Sequence, residues 1–413
     1  MLLVGSSERN YYKHKNSSTK FIKTMNVLQN LLPTAVLTLA ISMSVSSKAS
    51  DVVNNASSSK ETTATRSSVL KSACLVNDYF MAKYSDPTVP THVRKVRPSS
   101  LWTRAVYYEG LMALYDLMPE GRYLSYTDRW ASFHQWTPRN GISTCDADDQ
   151  CCAQTYLDRF MQVGDSSMLI PSQKNLEHQM TTKIGWWTWI DAIQMAMPVY
   201  AQMYKITGDR RYLEHAMKMY RWSRNECGGG LFNEKDGLWW RDADYVPPYK
   251  EADGKDCYWS RGNGWVLAAY VRVMNMLTPK DPVYRELKKD FLMMCRGLAS
   301  CQREDGFWNV SLVSPVTYGG KETTGTALFL YGISWGLRHG LLPSKTYRPI
   351  ADRAWQAISR DAIHPDGFLG YVQGTGKDPS AGQPVTYDKV PDFEDYGVGC
   401  FLLGAVEYAR LLR

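Results

Sequence analysis

Five stretches of the chain are apolar on almost every face: residues 101–117, 187–206, 264–277, 326–337 and 397–412. A helix that is apolar all round is buried all round. Five other stretches, 69–84, 122–136, 211–225, 284–301 and 345–358, repeat apolar residues at helical spacing and keep one charged face. The two kinds alternate along the chain. Runs with strand character are scarce, and only residues 228–246 suggest a short hairpin. The pattern therefore predicts an all-α protein.

The joints between helices fall into two types. Buried stretches end in tight turns such as Thr207-Gly208-Asp209, Pro279-Lys280-Asp281 and Leu342-Pro343-Ser344, with Gly or Pro as a stop and a polar residue to cap the next helix. The opposite joints are longer. Three of them carry an Asp-Gly-apolar signature: Asp236-Gly237-Leu238-Trp239, Asp305-Gly306-Phe307-Trp308 and Asp366-Gly367-Phe368-Leu369. The glycines are 69 and 61 residues apart, the period of a helical-hairpin module. Placing further helices at about 149–163 and 166–181 gives six buried and six amphipathic helices. Six hairpins close naturally into a ring, an inner barrel of buried helices inside an outer shell. This (α/α)6 barrel is predicted for residues 67–413 as one domain. Its two ends are unequal, because the long loops, rich in Trp, Tyr, Arg and Asp, all feed the starts of the inner helices. Free N–H groups there favour anions, and aromatic faces suit sugar rings. Most of the 14 Trp fill the core; the exceptions are sought where Trp adjoins charged groups at helix starts, as in WWTWID and YWSRGNGW.

Composition narrows the picture. The 413 residues are 44% hydrophobic and 22% charged, enough for a large core, which excludes disorder and a disulfide-stapled miniprotein. The net charge of +7 suggests an anionic partner until it is located. Residues 1–49 hold Arg9, Lys13, Lys15, Lys20, Lys23 and Lys48 against Glu8, so five of the seven charges lie there. The rest of the chain is too nearly neutral for a nucleic-acid surface. The basic leader precedes an apolar run over 27–45 and a small-x-small site at Ser47-Lys48-Ala49, the order of a secretory signal. Residues 1–49 are read as that signal, with Met25 as an alternative start and an uncleaved anchor as the alternative reading. Residues 50–66 are read as a flexible linker. The mature protein is expected to be exported, periplasmic or secreted, with no membrane association after signal removal. Of the nine Cys, Cys227 and Cys257 are candidates to close one loop, and Cys145 to reach Cys151 or Cys152, with buried free thiols the alternative. Cys295 and Cys301 point to opposite helix faces. The seven His lie in no metal-binding spacing, so neither a metal nor a cofactor is expected.

Several segments carry a more specific signal: SLWTRAVYYEGLMALY (100–115), WWTWIDAIQMAMPVYAQMYKITGDRRYL (186–213), YWSRGNGWVLAAYVRVM (258–274), ETTGTALFLYGI (322–333) and DYGVGCFLLGAVEYARL (395–411). In this order they resemble the unsaturated rhamnogalacturonyl hydrolases, glycoside hydrolase family 105, relatives of the unsaturated glucuronyl hydrolases. W-x-W-I-D-A and W-x-R-G-N-G-W are the most specific motifs. The resemblance implies an (α/α)6 barrel and a reaction on a 4,5-unsaturated uronic acid at the non-reducing end of an oligosaccharide made by a lyase. It implies hydration of the enol ether rather than direct displacement: an Asp protonates C4, water adds at C5, and the hemiketal opens to release the sugar. Such an acid must stay protonated near neutral pH, through desolvation or a like-charged neighbour.

Asp191 matches the family's catalytic Asp, and Trp187, Trp189 and Ile190 supply an apolar setting around it. For the second carboxylate Asp148, Asp149 and Asp158 compete. Asp158 makes a Leu-Asp pair with Leu157 but lies about nine residues into its helix, some 13 Å along at 1.5 Å per residue. Asp149 is preferred, with Asp148 as the main rival. Arg261 matches the W-x-R motif, and the resemblance makes it partner to the uronate carboxylate. Trp259 and Trp265 are expected as stacking walls and Asn263 as a hydroxyl ligand, while Gly262 and Gly264 serve close packing as readily as ligand contact. Arg104 and Trp102 start the first inner helix and are candidates for the same mouth. Glu394 and Asp395 are read as a cap of the last inner helix. The expected enzyme removes unsaturated galacturonyl from rhamnogalacturonan. The alternatives are an unsaturated glucuronyl hydrolase for arabinogalactan, ulvan or glycosaminoglycan fragments, and a non-catalytic glycan-binding barrel.

Overall fold

The computed structural model describes residues 64–412 except 94 and 95. The expected signal, and the expected linker up to residue 63, lie outside the described residues. In chain order the helices are α1 (Arg66–Lys83), α2 (Trp102–Tyr115), α3 (Gly121–Phe133), α4 (Ala147–Gln150), α5 (Ala153–Val163), α6 (Ile170–Met180), α7 (Asp191–Thr207), α8 (Arg210–Asn225), α9 (Ser260–Met276), α10 (Pro282–Ser300), α11 (Pro315–Tyr318), α12 (Thr323–Arg338), α13 (Ser344–Asp361) and α14 (Asp395–Leu411). Two antiparallel strand pairs accompany them, β1 (Thr91–His92) with β2 (Val96–Arg97), and β3 (Phe232–Asn233) with β4 (Leu238–Trp239). The second pair is the hairpin expected within 228–246.

Helices α2, α5, α7, α9, α12 and α14 pack side by side in that order, and α14 returns to α2, so the inner ring is closed. Helices α1, α3, α8, α10 and α13 lie outside on α14, α2, α7, α9 and α12. The (α/α)6 barrel read from the alternation is the fold. Burial follows the pattern that predicted it: nearly every residue of α12 and α14 is buried, whereas α8 and α13 bury one face. The helix expected at 149–163 is split into α4 and α5. The Asp149 carbonyl accepts the Arg139 N–H of the preceding loop at 3.0 Å, a bond made outside the helix. Two of the three tight turns cap as expected: Asp209 accepts from Arg211 N at 3.0 Å and Asp281 from Val283 N at 2.8 Å. In the third, Pro343 takes the cap position and Ser344 is already helical.

The repeated Asp-Gly turn has a common task. Gly237 and Gly306 adopt φ of +68° and +95°, and Gly367 adopts +97°. A Cβ on these residues would lie 2.3 Å from the Met293 carbonyl of α10, 2.4 Å from that of Arg353 in α13, and 2.5 Å from that of Leu75 in α1. Each long loop is therefore docked on the next outer helix, and the last returns to the first. The ends of the ring are also joined inside, where Arg104 Nε of α2 donates to Asp395 Oδ2 of α14 at 3.3 Å with both side chains buried. Gly306→Ala, both strained and crowded, is expected to lower stability by about 2–3 kcal/mol. Gly340→Ala, at φ +66° with open space around it, should cost about 1 kcal/mol. Denaturant melts of the two variants test this difference.

Candidate active site

Asp191 is the first residue of α7, at the long-loop end of the barrel. Backbone pairing places its neighbour. Ile190 N donates to the Arg241 carbonyl at 2.9 Å, and Trp189 bridges Asp242, so the segment after β4 is fastened beside the start of α7. Arg241 Nε then stands 3.6 Å from Asp191 Oδ2, beyond a hydrogen bond, while its Nη1 donates to Asp242. Both Asp191 Oδ2 and Arg241 Nε are buried without a hydrogen-bond partner. Burial raises the Asp191 carboxyl above its ordinary value, opposed by the positive charges of Arg241 and Arg261.

Asp148 sits on the short helix α4, whose N-cap Asp146 accepts from Asp148 N at 2.9 Å. Its carboxyl is pushed up to about 8, first by burial and then by the charges of Asp146 and Asp191. Two carboxyl groups thus act on each other at one mouth, both in the direction that retains a proton. Asp149 differs. Its Oδ1 accepts from Arg139 Nη1 at 3.0 Å, and its Oδ2 from Asn140 Nδ2 at 2.9 Å and Thr144 Oγ1 at 2.7 Å. It pins the loop before α4. Asp158 lies at the other end of the barrel, accepting from Gln202 at 2.6 Å and lining a cavity of about 310 Å³ with Glu109 and Arg272. Among the described residues no group of three or more His, Cys, Asp or Glu is arranged to hold a metal ion.

With this geometry in hand, the relatives are informative. Residues 73–412 match Glycosyl Hydrolase Family 88. The chain belongs to that family. Two curated relatives, from Alteromonas sp. (strain LOR) and Formosa agariphila, are each named unsaturated 3S-rhamnoglycuronyl hydrolase. The first is 30% identical over 348 residues, 77% of this chain and 79% of the relative. The second is 28% identical over 334 residues, 75% and 84%. A family 88 glycosyl hydrolase from Bacteroides vulgatus superposes with a TM-score of 0.76 at 34% identity, covering 84% of this chain and 100% of that one. An unsaturated glucuronyl hydrolase from Streptococcus agalactiae, 15% identical, shares the fold at a TM-score of 0.62, covering 84% and 92%. The resemblance carried by the motifs is borne out at the level of family, and the protein is a glycosidase.

Several residues expected at the mouth of this family 88 enzyme have other work. Arg261 donates from Nη1 to the Gln373 carbonyl and from Nη2 to the Gly374 carbonyl, both at 2.9 Å, with its guanidinium 4.6 Å from the Trp259 ring and 5.0 Å from that of Tyr396. Trp259 Nε1 donates to Gln373 Oε1 at 2.8 Å. Asn263 accepts from Trp239 N at 2.8 Å and donates to the Trp239 and Trp259 carbonyls, so it clamps β4 and is not free for a hydroxyl. Trp187, Trp259 and Trp265 are buried in the core; Trp102 and Trp189 are half-buried. Arg104 is buried against Asp395, and Glu394 meets Lys83 and Tyr84 instead of capping α14. Gly262 and Gly264 sit against Ile190 and Leu328, the packing alternative. All nine cysteines are free: Cys227 turns to the Thr188 carbonyl and Cys257 is buried apart from it.

Arg241 and Asp242 were not singled out from the sequence, although the signal was there: Trp239-Trp240-Arg241-Asp242 is another case of Trp beside charge in a long loop. Gln373, the buried hub of the 373–382 loop, has no such signature. Removing Asp149 leaves Arg139, Asn140 and Thr144 unmatched, so Asp149→Ala is expected to cost about 3 kcal/mol. Asp148→Asn should keep wild-type stability, which thermal melts of the two variants will show.

Proposed function

We propose that the enzyme removes a 4,5-unsaturated uronyl residue from the non-reducing end of lyase-generated oligosaccharides by hydrating the C4=C5 double bond. The observation that carries this reading is the pair Asp191 and Asp148, two carboxyl groups raised together at the mouth of a family 88 barrel. Protonating an enol-ether carbon requires a carboxylic acid that is still protonated near neutral pH. Burial and mutual repulsion keep one proton on the pair. Asp191 delivers it to C4, water adds at C5, and the resulting hemiketal opens its ring. The anomeric carbon then releases the remaining sugar. Asp148 takes the role of second carboxylate in place of Asp149, whose oxygens are occupied by loop donors. Trp102 and Trp189, the half-buried tryptophans among those expected at the mouth, are the ones left to meet the sugar rings.

The names of the two curated relatives favour an unsaturated uronyl residue linked to 3S-rhamnose, over the rhamnogalacturonan substrate expected first from the motifs. The basic and apolar leader supports export, to the periplasm or beyond.

The conjugated double bond absorbs in the ultraviolet, and the reaction removes that absorbance. Adding enzyme to unsaturated 3S-rhamnose oligosaccharides is expected to bleach it faster than with rhamnogalacturonan or glycosaminoglycan fragments. An intact chromophore with every substrate would sink the reading. Asp191→Asn should lower kcat by about 10³-fold or more while substrate still binds. Asp148, pushed up to about 8, holds its proton below that pH and loses it above. Turnover should accordingly fall as pH rises through that range, and a kcat profile of Asp148→Asn should show the limb displaced.

A further inference from the structure

Asp148 and Asp191 repel each other when charged, and burial strengthens the repulsion. Something must keep the elements that carry them from parting, since Asp191 Oδ2 has no hydrogen-bond partner and Arg241 stops 3.6 Å short of it. We propose that Glu109 of α2 is the positioning residue that holds the two carboxyl groups together, a role that rests on the reaction above.

Glu109 is buried, and its two oxygens are divided between the two elements. Its Oε2 accepts from Gln194 Nε2 at 2.9 Å, and its Oε1 from Cys151 Sγ at 3.4 Å. Gln194 lies on α7 three residues after Asp191, and Cys151 ends α4 three residues after Asp148. Residues three apart on a helix are neighbours on one face. One carboxylate therefore fastens the turn that follows each carboxyl group, and neither bond uses the oxygens of Asp148 or Asp191.

A second set of contacts braces this strut. Gln154 Nε2 of α5 donates to the Gln194 carbonyl at 2.9 Å, and Arg272 Nε of α9 donates to Gln154 Oε1 at 2.6 Å. The same Arg272 Nε stands 3.8 Å from Glu109 Oε2, so the buried carboxylate has a counter-charge. Four inner helices, α2, α5, α7 and α9, are joined in this way. Glu109 and Arg272 line the cavity at the other end of the barrel, and Gln194 is fully buried, so none of the three is placed to touch the sugar. Their effect on the reaction runs through the placement of the acids.

The test separates positioning from binding by kcat and KM on the unsaturated 3S-rhamnose oligosaccharide. Gln194→Met keeps the volume and cuts the arm to α7. Its kcat should fall by about 30-fold or more, with KM within about threefold of wild type. Cys151→Ala cuts the weaker arm and should lower kcat by about threefold or more, whereas Cys151→Ser keeps a donor and should stay within about twofold. Glu109→Met removes both arms. Because Glu109 acts through Gln194, adding Gln194→Met to it should lower kcat by no more than about threefold further. If Glu109→Met does not fold, the two arms decide alone. In an enzyme whose wild type bleaches the chromophore, wild-type kcat in both Gln194→Met and Cys151→Ala overturns the strut and leaves the reaction standing. A loss in KM alone, or losses in Glu109→Met and Gln194→Met that multiply in full, does the same. A wild type that bleaches no substrate overturns the reaction on which the strut rests.

Discussion

Closure of the inner ring is the constraint on which the rest depends. Helix α14 must reach α2 across most of the chain length, and it does so at backbone distance: a Cβ on Gly399 would lie 2.2 Å from the Val106 carbonyl. The Arg104–Asp395 pair seals the same seam, with neither side chain open to water. A buried pair of this kind stabilises little against an apolar replacement, but removing one partner leaves a charge stranded at a cost of about 3–5 kcal/mol. It therefore acts as a register pin. Once the ring is shut, the six inner helices point the same way, and every long loop is delivered to one end.

That end is built by polar side chains turned inward. The W-x-R-G-N-G-W segment is the clearest example. Trp259 and Arg261 grip Gln373 and Gly374 from below, and Gln373 Nε2 donates to the carbonyls of Asp378 and Ala381. Asn263 grips β4, which fixes the segment bearing Arg241. The loops also meet each other, with Tyr245 donating to Asp378 at 2.6 Å and Lys377 to Asp244 at 2.9 Å. The motif thus positions the mouth without lining it. Buried hydrogen bonds of this kind rigidify a site, because each bond lost exposes a group with no water to replace it.

The proposed chemistry rests on charges that this rigidity leaves incompletely paired. Asp149 has three donors and serves structure; its neighbour Asp148 keeps its carboxyl clear of them and gains a near-neutral proton affinity. Adjacent residues on a helical turn point in different directions, so one faces the loop and the other the mouth. Asp191 combines burial with a helix start and an arginine that approaches but does not bond.

The helix alternation, the end to which the long loops run, the family and the place of Asp191 at a helix start could all be read from the chain alone. Their signals are periodic or local: apolar faces at 3.6-residue spacing, Gly in positive-φ turns, and Trp beside a carboxylate at a helix start. Which of Asp148 and Asp149 is held by the loop could not be read that way, since it turns on which of two identical side chains meets Arg139, Asn140 and Thr144. Nor could the burial of Arg104 and Arg261, whose partners Asp395, Gln373 and Gly374 lie 291, 112 and 113 residues away. Arg241, about 20% accessible and paired with its neighbour Asp242, is left with Nε unbonded beside Asp191. Sequence determined which groups were present and on which element; only closure of the ring decided which charges were neutralised and which were left incompletely paired.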